Sequence, residues 1–390
     1  MEILVIGAGY AGLAAFLELR DHLPVTLLNE EPYHYFTTQL PEVVSGSEAP
    51  DDVRIDLDQI VRAPHRLVVG RAAGIDLVSR RVALVDGPSL AYDHLVLAPG
   101  AVPEFYGLRD VAREALVLTD LNSALRIRER VAALRPGARL VIVGGGLTGT
   151  ELAAALADTA PTRIILLEAG PRLIPVFAPE LSEYVENLLA GKGVEIRKER
   201  TVTGLRPGEL ILGDESLPYD LLVWAAGVRG SPLLSEAGLP VDRQGRATVD
   251  AFLHPPGHPG VYVTGDAAAL RFPGGGVVPP NAQVAVQSGF WVGQNLPRRL
   301  KGQPEHPFVP RMRGLFATFG REGVGRLGER GTLTGLPAYW FKRLIEGHYA
   351  LETGGLLFIL KRLWTRDGRR EIHRTGEAGM GVTPPGNGKK

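Results

Sequence analysis

The chain contains no cysteine. That removes disulfide staples, thiolate metal ligands and every thiol-based catalytic cycle at once, and no metal site is expected. It has no net charge, because 43 Lys and Arg balance 43 Asp and Glu. A global electrostatic grip on nucleic acid is therefore not expected. Long hydrophobic runs are also missing. The longest stretch free of Asp, Glu, Lys and Arg, Phe272 to Pro297, is broken by glycines and prolines and carries several amides. A spanning helix needs about 20 predominantly apolar residues. The opening MEILVIG has no basic segment and runs straight into a strand, so no signal peptide is expected.

What is present suits a globular protein. The 390 residues are 45% hydrophobic and 22% charged, which fits two or three domains with sizeable cores. The 49 glycines follow no collagen period and point to tight turns and close backbone approaches.

One plan is written twice. The apolar run Ile3 to Ile6 leads into Gly7, Gly9 and Gly12, then a helical LAAFLELR, then a second strand, VTLLN, ending at Asn29. The run LVIV from Leu140 leads into Gly144, Gly146 and Gly149, then a helical TELAAALAD, then IILLE ending at Glu168. In each G-x-G-x-x-G the first glycine makes a tight turn and the second admits a pyrophosphate. The third lets helix pack on strand, and the helix N-terminus faces the phosphate charge. YDHLVLAPGAV from Tyr92 resembles YDLLVWAAGVR from Tyr219, a closing strand after a short β-rich piece in each copy. The fold class expected is α/β, with two Rossmann-like dinucleotide-binding domains. A third block follows: GVYVTGDAAAL, a Gly- and Pro-rich loop, and a helix capped by Asn281.

Glu168 lies nineteen residues past Gly149. A carboxylate there accepts from ribose hydroxyls and repels a 2′-phosphate, which favours NADH over NADPH. Arg172 nearby is the one basic residue that weighs the other way. At the end of the first copy's second strand, either Asn29 or Glu30 could accept from a ribose. Glu151 sits in the first turn after its loop, where the helix dipole alone would favour a carboxylate by about 0.3–1 kcal/mol. Gln283 and Gln287 are one turn apart and share a helix face.

These motifs resemble the two-dinucleotide flavoproteins of the glutathione-reductase fold, and among them type II NADH dehydrogenases, the single-subunit NADH:quinone oxidoreductases. The likeness is carried by GAGYAGLAA, YHYFTTQLPEV, GGGLTGTELAAALA and WAAGVRGSPLL. It is also carried by PPNAQVAVQSG, with Ala282, Gln283, Ala285 and Gln287 in A-Q-x-A-x-Q spacing. It covers nearly the whole chain. It implies FAD in the first site and NADH in the second, and domains at 1–110 with 240–325 for FAD and 111–239 for NADH. The absence of cysteine sets aside relatives that work through a redox thiol pair.

The resemblance implies that Gly7, Ala8, Gly9, Tyr10, Ala11 and Gly12 cradle the FAD pyrophosphate, with Asn29 or Glu30 on the ribose. It places Ala72 along the adenine, Ala98 and Gly100 at the closing strand, and Asp266 on the ribityl chain. Backbone at Gln283, Val284 and Ala285 faces the flavin ring, where a helix N-terminus stabilises negative charge. The family often has a basic residue where Glu30 stands, so the chain departs there. Gly144, Gly146, Thr148, Gly149 and Glu168 are implied to hold NADH, with Ala226 and Gly227 where nicotinamide meets flavin. Glu151 is implied to position nicotinamide or deliver a proton, and Gln283 and Gln287 to line the quinone pocket. Lys361 is implied to approach the flavin. His34, in YHYF, reads as a packed residue.

From Pro337 the sequence changes character. Trp340-Leu344-His348 and Phe341-Ile345-Tyr349 form an apolar stripe, and Leu356 to Leu360 is a short apolar run. Lys361, Arg362, Arg366, Arg369, Arg370 and Arg374 follow, against Asp367 and Glu371. Segment 326–390 is expected to lie on the anionic inner leaflet, to form a homodimer contact, or both, with a disordered tail beyond Gly376. The expectation is a non-proton-pumping NADH:quinone oxidoreductase, peripheral on the cytoplasmic face of the cell membrane. A soluble NAD(P)H reductase of a small carrier protein or of oxygen, and a slow FAD/NADH-binding redox sensor, remain open at this point.

Overall fold

The structure, a computed structural model, describes residues 1–328 and 331–378; the side chains at 356–357 and 359–378 lie outside that description. Two five-stranded parallel sheets dominate. In the first, the strands run in the order Val261–Val263, His94–Leu97, Ile3–Ile6, Val25–Asn29, Arg66–Val69. In the second they run Leu116–Val117, Leu221–Trp224, Arg139–Val143, Arg163–Leu167, Glu195–Arg197. The inner strands are apolar without alternation because helices cover a parallel sheet on both faces. Ile3–Ile6 and Leu221–Trp224 are buried at every position. Each sheet carries a three-stranded antiparallel annex, Ala72–Asp76 with Arg81–Leu84 and Leu90–Ala91, and Gly204–Arg206 with Glu209–Leu212 and Glu215–Pro218.

The repeat has one asymmetry. The second sheet takes its outer strand Leu116–Val117 from just before its own module. The first takes Val261–Val263 from far downstream, paired in parallel with Leu95–Leu97. That crossover delivers the third block to the first sheet. Helix Ala282–Leu300 then packs along helix Tyr10–Leu19. The approach is close: a Cβ added to Gly289 would stand 1.9 Å from the Ala11 carbonyl oxygen. The two crossings between the sheets pair as a short antiparallel ribbon, Ala101–Pro103 with Val228–Gly230.

A three-stranded meander follows, Gly314–Phe319, Glu322–Leu327 and Gly331–Thr334. A long helix, Gly335–Ala378, is broken at Gly355, where φ is 70°. The chain divides into two compact units, Met1–Tyr339 and a second from Trp340 onward. Within the second, Lys342 and Arg343 pair with Glu346, while Trp340 and Leu344 are 66% and 69% exposed. Among the described residues no helix is long and apolar enough to cross a membrane.

Candidate functional site

The two glycine loops have nearly the same steric geometry. A Cβ on Gly7 would lie 2.2 Å from the Ala98 carbonyl oxygen, and one on Gly144 would lie 2.3 Å from that of Ala225. A Cβ on Gly12 would lie 1.8 Å from the Gly7 oxygen, and one on Gly149 would lie 1.9 Å from the Gly144 oxygen. The first and third glycines are therefore needed by the fold itself. The middle ones are not, since a Cβ on Gly9 or Gly146 meets nothing within 4 Å. Each middle glycine is the N-cap of its helix with no side chain capping it. An open mouth lined by helix N–H groups is what a pyrophosphate needs.

The residue after each first glycine is held on both sides. In the first loop the Ala8 N–H donates to Asn29 Oδ1 at 2.7 Å, and the Ala8 carbonyl meets His34 Nδ1 at 2.8 Å. In the second, the Gly145 N–H donates to Glu168 Oε2 at 2.7 Å, and its carbonyl accepts the Ile174 N–H at 2.7 Å. His34 thus replaces a backbone donor. It is fully buried, and burial pushes its pKa down to about 4, so it serves as a neutral donor. Sequence alone showed it only as a packed residue. Its place just after the second strand was the available signal.

Asn29 is engaged by the loop, with its Nδ2 donating to the Glu31 carbonyl at 2.8 Å. Glu30 beside it is exposed. Glu168 Oε1 also accepts from the Gly170 N–H at 2.6 Å, leaving one lone pair on each oxygen. Arg172, the residue that weighed toward NADPH, donates instead to the Phe177 and Pro175 carbonyls at 2.9 and 3.0 Å. Thr148 is exposed at the second loop. Ala226 and Gly227 lie in the turn just past the closing strand Leu221–Trp224, with Gly227 at φ 142°.

Three distant stretches of sequence meet at small residues: Ala11, Ala98 and Ala285 pack together, with Tyr10 against them. Gly100, at φ 70°, turns the chain just past Ala98. Asp266 lies alongside in a cleft also lined by Arg246, Asn281 and Val284. Burial raises the Asp266 carboxyl above its ordinary range, against the Asn281 N–H and the nearby Arg246 charge. Arg246 is itself buried and paired with Asp242 at 2.7 Å, a neighbour the sequence did not single out. Ala72 opens the first antiparallel annex, half-buried against the first core.

Asn281 Oδ1 caps Val284 N–H at 2.8 Å, and Ala285 N–H donates to the Asn281 carbonyl at 3.1 Å. Of the three backbone amides expected at the flavin ring, those of Val284 and Ala285 are thus engaged by Asn281, which leaves Gln283 from that set, with Ala282 before it. Both glutamine side chains reach the backbone ahead of the meander. Gln283 Oε1 accepts from the Arg313 N–H at 2.7 Å, and Gln287 both donates to and accepts from the Arg311 backbone, at 2.8 and 3.1 Å. Glu151 Oε1 accepts from the Thr318 N–H at 2.9 Å, tying the second loop's helix to the same meander. The side chain of Lys361 and the tail beyond residue 378 lie outside the described residues.

A family model described as pyridine nucleotide-disulphide oxidoreductase matches residues 1–289. The chain belongs to this family. With no cysteine, it is a member that has no thiol pair of its own. It is 29% identical to a type II NADH:quinone oxidoreductase of Staphylococcus saprophyticus, over 93% of this chain and 98% of that protein. A Staphylococcus aureus protein of the same name is 28% identical at the same coverage. Among solved structures, NDH2 from Plasmodium falciparum in complex with NADH superposes with a TM-score of 0.82 at 18% identity, covering 94% of this chain and 98% of that one. The sulfide:quinone oxidoreductase of Aquifex aeolicus gives 0.77 at 20% identity, covering 90% and 91%. These two likenesses place the fold.

Proposed function

We propose that the protein is an FAD-dependent NADH:quinone oxidoreductase of the type II NADH dehydrogenase kind. The observation that carries this is the pair of matched loops, each with an open middle glycine and an uncapped helix mouth. They stand on a chain similar over nearly its full length to enzymes of that name. Residues 1–110 with 240–325 would hold FAD, and 111–239 would hold NADH. FAD, when bound, supplies a ring that takes up hydride and gives up two electrons.

The chain's own residues bind and orient. Tyr10 and Ala11 present N–H groups to the pyrophosphate, and Glu30, the exposed neighbour of Asn29, is the ribose acceptor. Asp266 faces the ribityl hydroxyls as an acceptor. The Ala282 and Gln283 amides, with the helix dipole behind them, stabilise negative charge on the reduced ring. Glu168 receives the NADH ribose hydroxyls on its remaining lone pairs. Glu151 positions nicotinamide or passes a proton from its carboxyl. The Gln283 side-chain N–H₂ faces the quinone pocket, while Gln287 anchors the segment that bounds it. Gln283→Ala should therefore raise the KM for a short-chain quinone several-fold with the KM for NADH unchanged. Glu151→Gln should slow turnover with flavin retained. Unchanged quinone kinetics in Gln283→Ala would move the pocket elsewhere.

We also infer a peripheral site of action on the cytoplasmic leaflet, shared with a homodimer contact. Trp340, Leu344, Ile345 and Leu351 are all exposed, an apolar set unlike a solvated helix face. Deleting residues from Pro337 should release the protein from anionic liposomes. It should leave flavin reduction by NADH largely intact and depress turnover with long-chain quinone far more than with a soluble analogue. Full-length protein that ignores liposomes at low salt would favour a soluble reductase.

A further inference from the structure

Tyr106 is an exposed aromatic held in a conformation that a bulky residue seldom adopts. Its φ is 50°, in the left-handed region. The residues around it are pinned to the closing strand of the second sheet. The Glu104 N–H donates to the Gly227 carbonyl at 3.0 Å, and the Glu104 carbonyl accepts the Trp224 indole N–H at 2.7 Å. The Glu104 carboxylate accepts the Tyr106 N–H at 2.8 Å and lies 3.8 Å from Arg229.

So held, the ring crosses the end of the strand. Its hydroxyl donates to the Ala226 carbonyl at 3.0 Å, and a Cβ on Gly227 would stand 2.9 Å from that hydroxyl. Burial raises the phenol pKa, followed by the charges of Glu104 and Glu168. The phenol therefore remains a neutral donor. The ring is 66% exposed, so core packing does not account for it. It stands against Ala226–Gly227, which the proposed function puts at the nicotinamide end of the second dinucleotide site.

We propose that Tyr106 is a positioning residue forming the outer wall of the NADH groove, its ring packing against the bound dinucleotide beside Ala226 and Gly227. This rests on the reading that NADH occupies the second loop. A flat, neutral ring offers contact area at small entropic cost and adds no charge to repel the pyrophosphate.

The test uses the FAD-loaded full chain with Tyr106→Asn and Tyr106→Phe. Asn tolerates positive φ, so that variant keeps the loop and loses the ring. Phe keeps the ring and loses the bond to Ala226. Binding of NAD⁺ is read by calorimetry, and KM for NADH and for a soluble quinone by turnover. Tyr106→Asn should weaken NAD⁺ about tenfold and raise the KM for NADH alike, with the KM for quinone and the melting temperature unchanged. Tyr106→Phe should stay close to wild type. Equal or tighter NAD⁺ binding by Tyr106→Asn overturns the wall, since the ring would then be idle or obstructive. If wild type itself binds no NAD⁺ at saturating flavin, the NADH site is wrong, and this inference falls with it.

Discussion

Gly12→Ala protein is expected to purify nearly colourless. The added methyl would sit 1.8 Å from the Gly7 carbonyl oxygen and 2.9 Å from its carbonyl carbon. Both are backbone atoms of the loop proposed to hold the flavin pyrophosphate, so the loop has to move. Overpacking of this kind costs about 1–3 kcal/mol, which taken out of binding is about fivefold to about 150-fold in flavin affinity. Gly9→Ala separates the ligand's needs from the fold's. Nothing lies within 4 Å of its added methyl. The flavin-free protein should melt as wild type does, yet FAD should bind more weakly because the methyl fills the phosphate's place. Gly149→Ala is the counterpart at the second loop. It should stay yellow while NADH reduces the flavin about a hundredfold more slowly, as a misplacement near 1 Å can do. Visible absorbance and stopped-flow bleaching read all three. Flavin retained at wild-type affinity in Gly12→Ala would remove FAD from the first loop.

Replacing Glu168 should redirect the choice of nucleotide. Each of its oxygens already accepts one backbone N–H, from Gly145 and from Gly170. The carboxylate is thereby fixed in place with capacity left for two hydroxyls. A 2′-phosphate brought there would meet a full negative charge, and Arg172 cannot compensate while it is bonded to the Phe177 and Pro175 carbonyls. Wild type should therefore prefer NADH over NADPH by at least about tenfold in kcat/KM, given about 1.5–3 kcal/mol for hydrogen bonds to a charged group. Glu168→Arg should narrow that ratio, at some cost in overall rate because the loop loses both acceptors. Glu168→Gln checks the second effect. An amide has one acceptor oxygen, so it satisfies one loop N–H and leaves the other without a partner. It should weaken NADH without improving NADPH. Equal use of the two nucleotides by wild type would show that Glu168 does not meet the ribose.

Much of the fold was legible because its signals are local. An apolar strand, a glycine spacing and a helix follow one another within about 30 residues, the length of a βαβ unit. Steric need alone then makes Gly7, Gly12, Gly144 and Gly149 readable. The Asn281 cap was readable for the same reason, since a cap is completed within three residues. The absence of cysteine set aside the thiol chemistry that the family's description carries.

The amino-acid sequence by itself determined two α/β nucleotide modules, the carboxylate at Glu168 and a chain without thiols. These follow from neighbours along the chain. Only the tertiary structure decided which polar groups meet across it. Val261–Val263 joins the first sheet. His34 holds the Ala8 carbonyl. Gln283, Gln287 and Glu151 grip the backbone of 311–318. Such partners are set by burial, where each N–H and carbonyl removed from water must find a hydrogen bond wherever packing brings one. That condition has no period and no spacing, so it is not visible until the chain is folded.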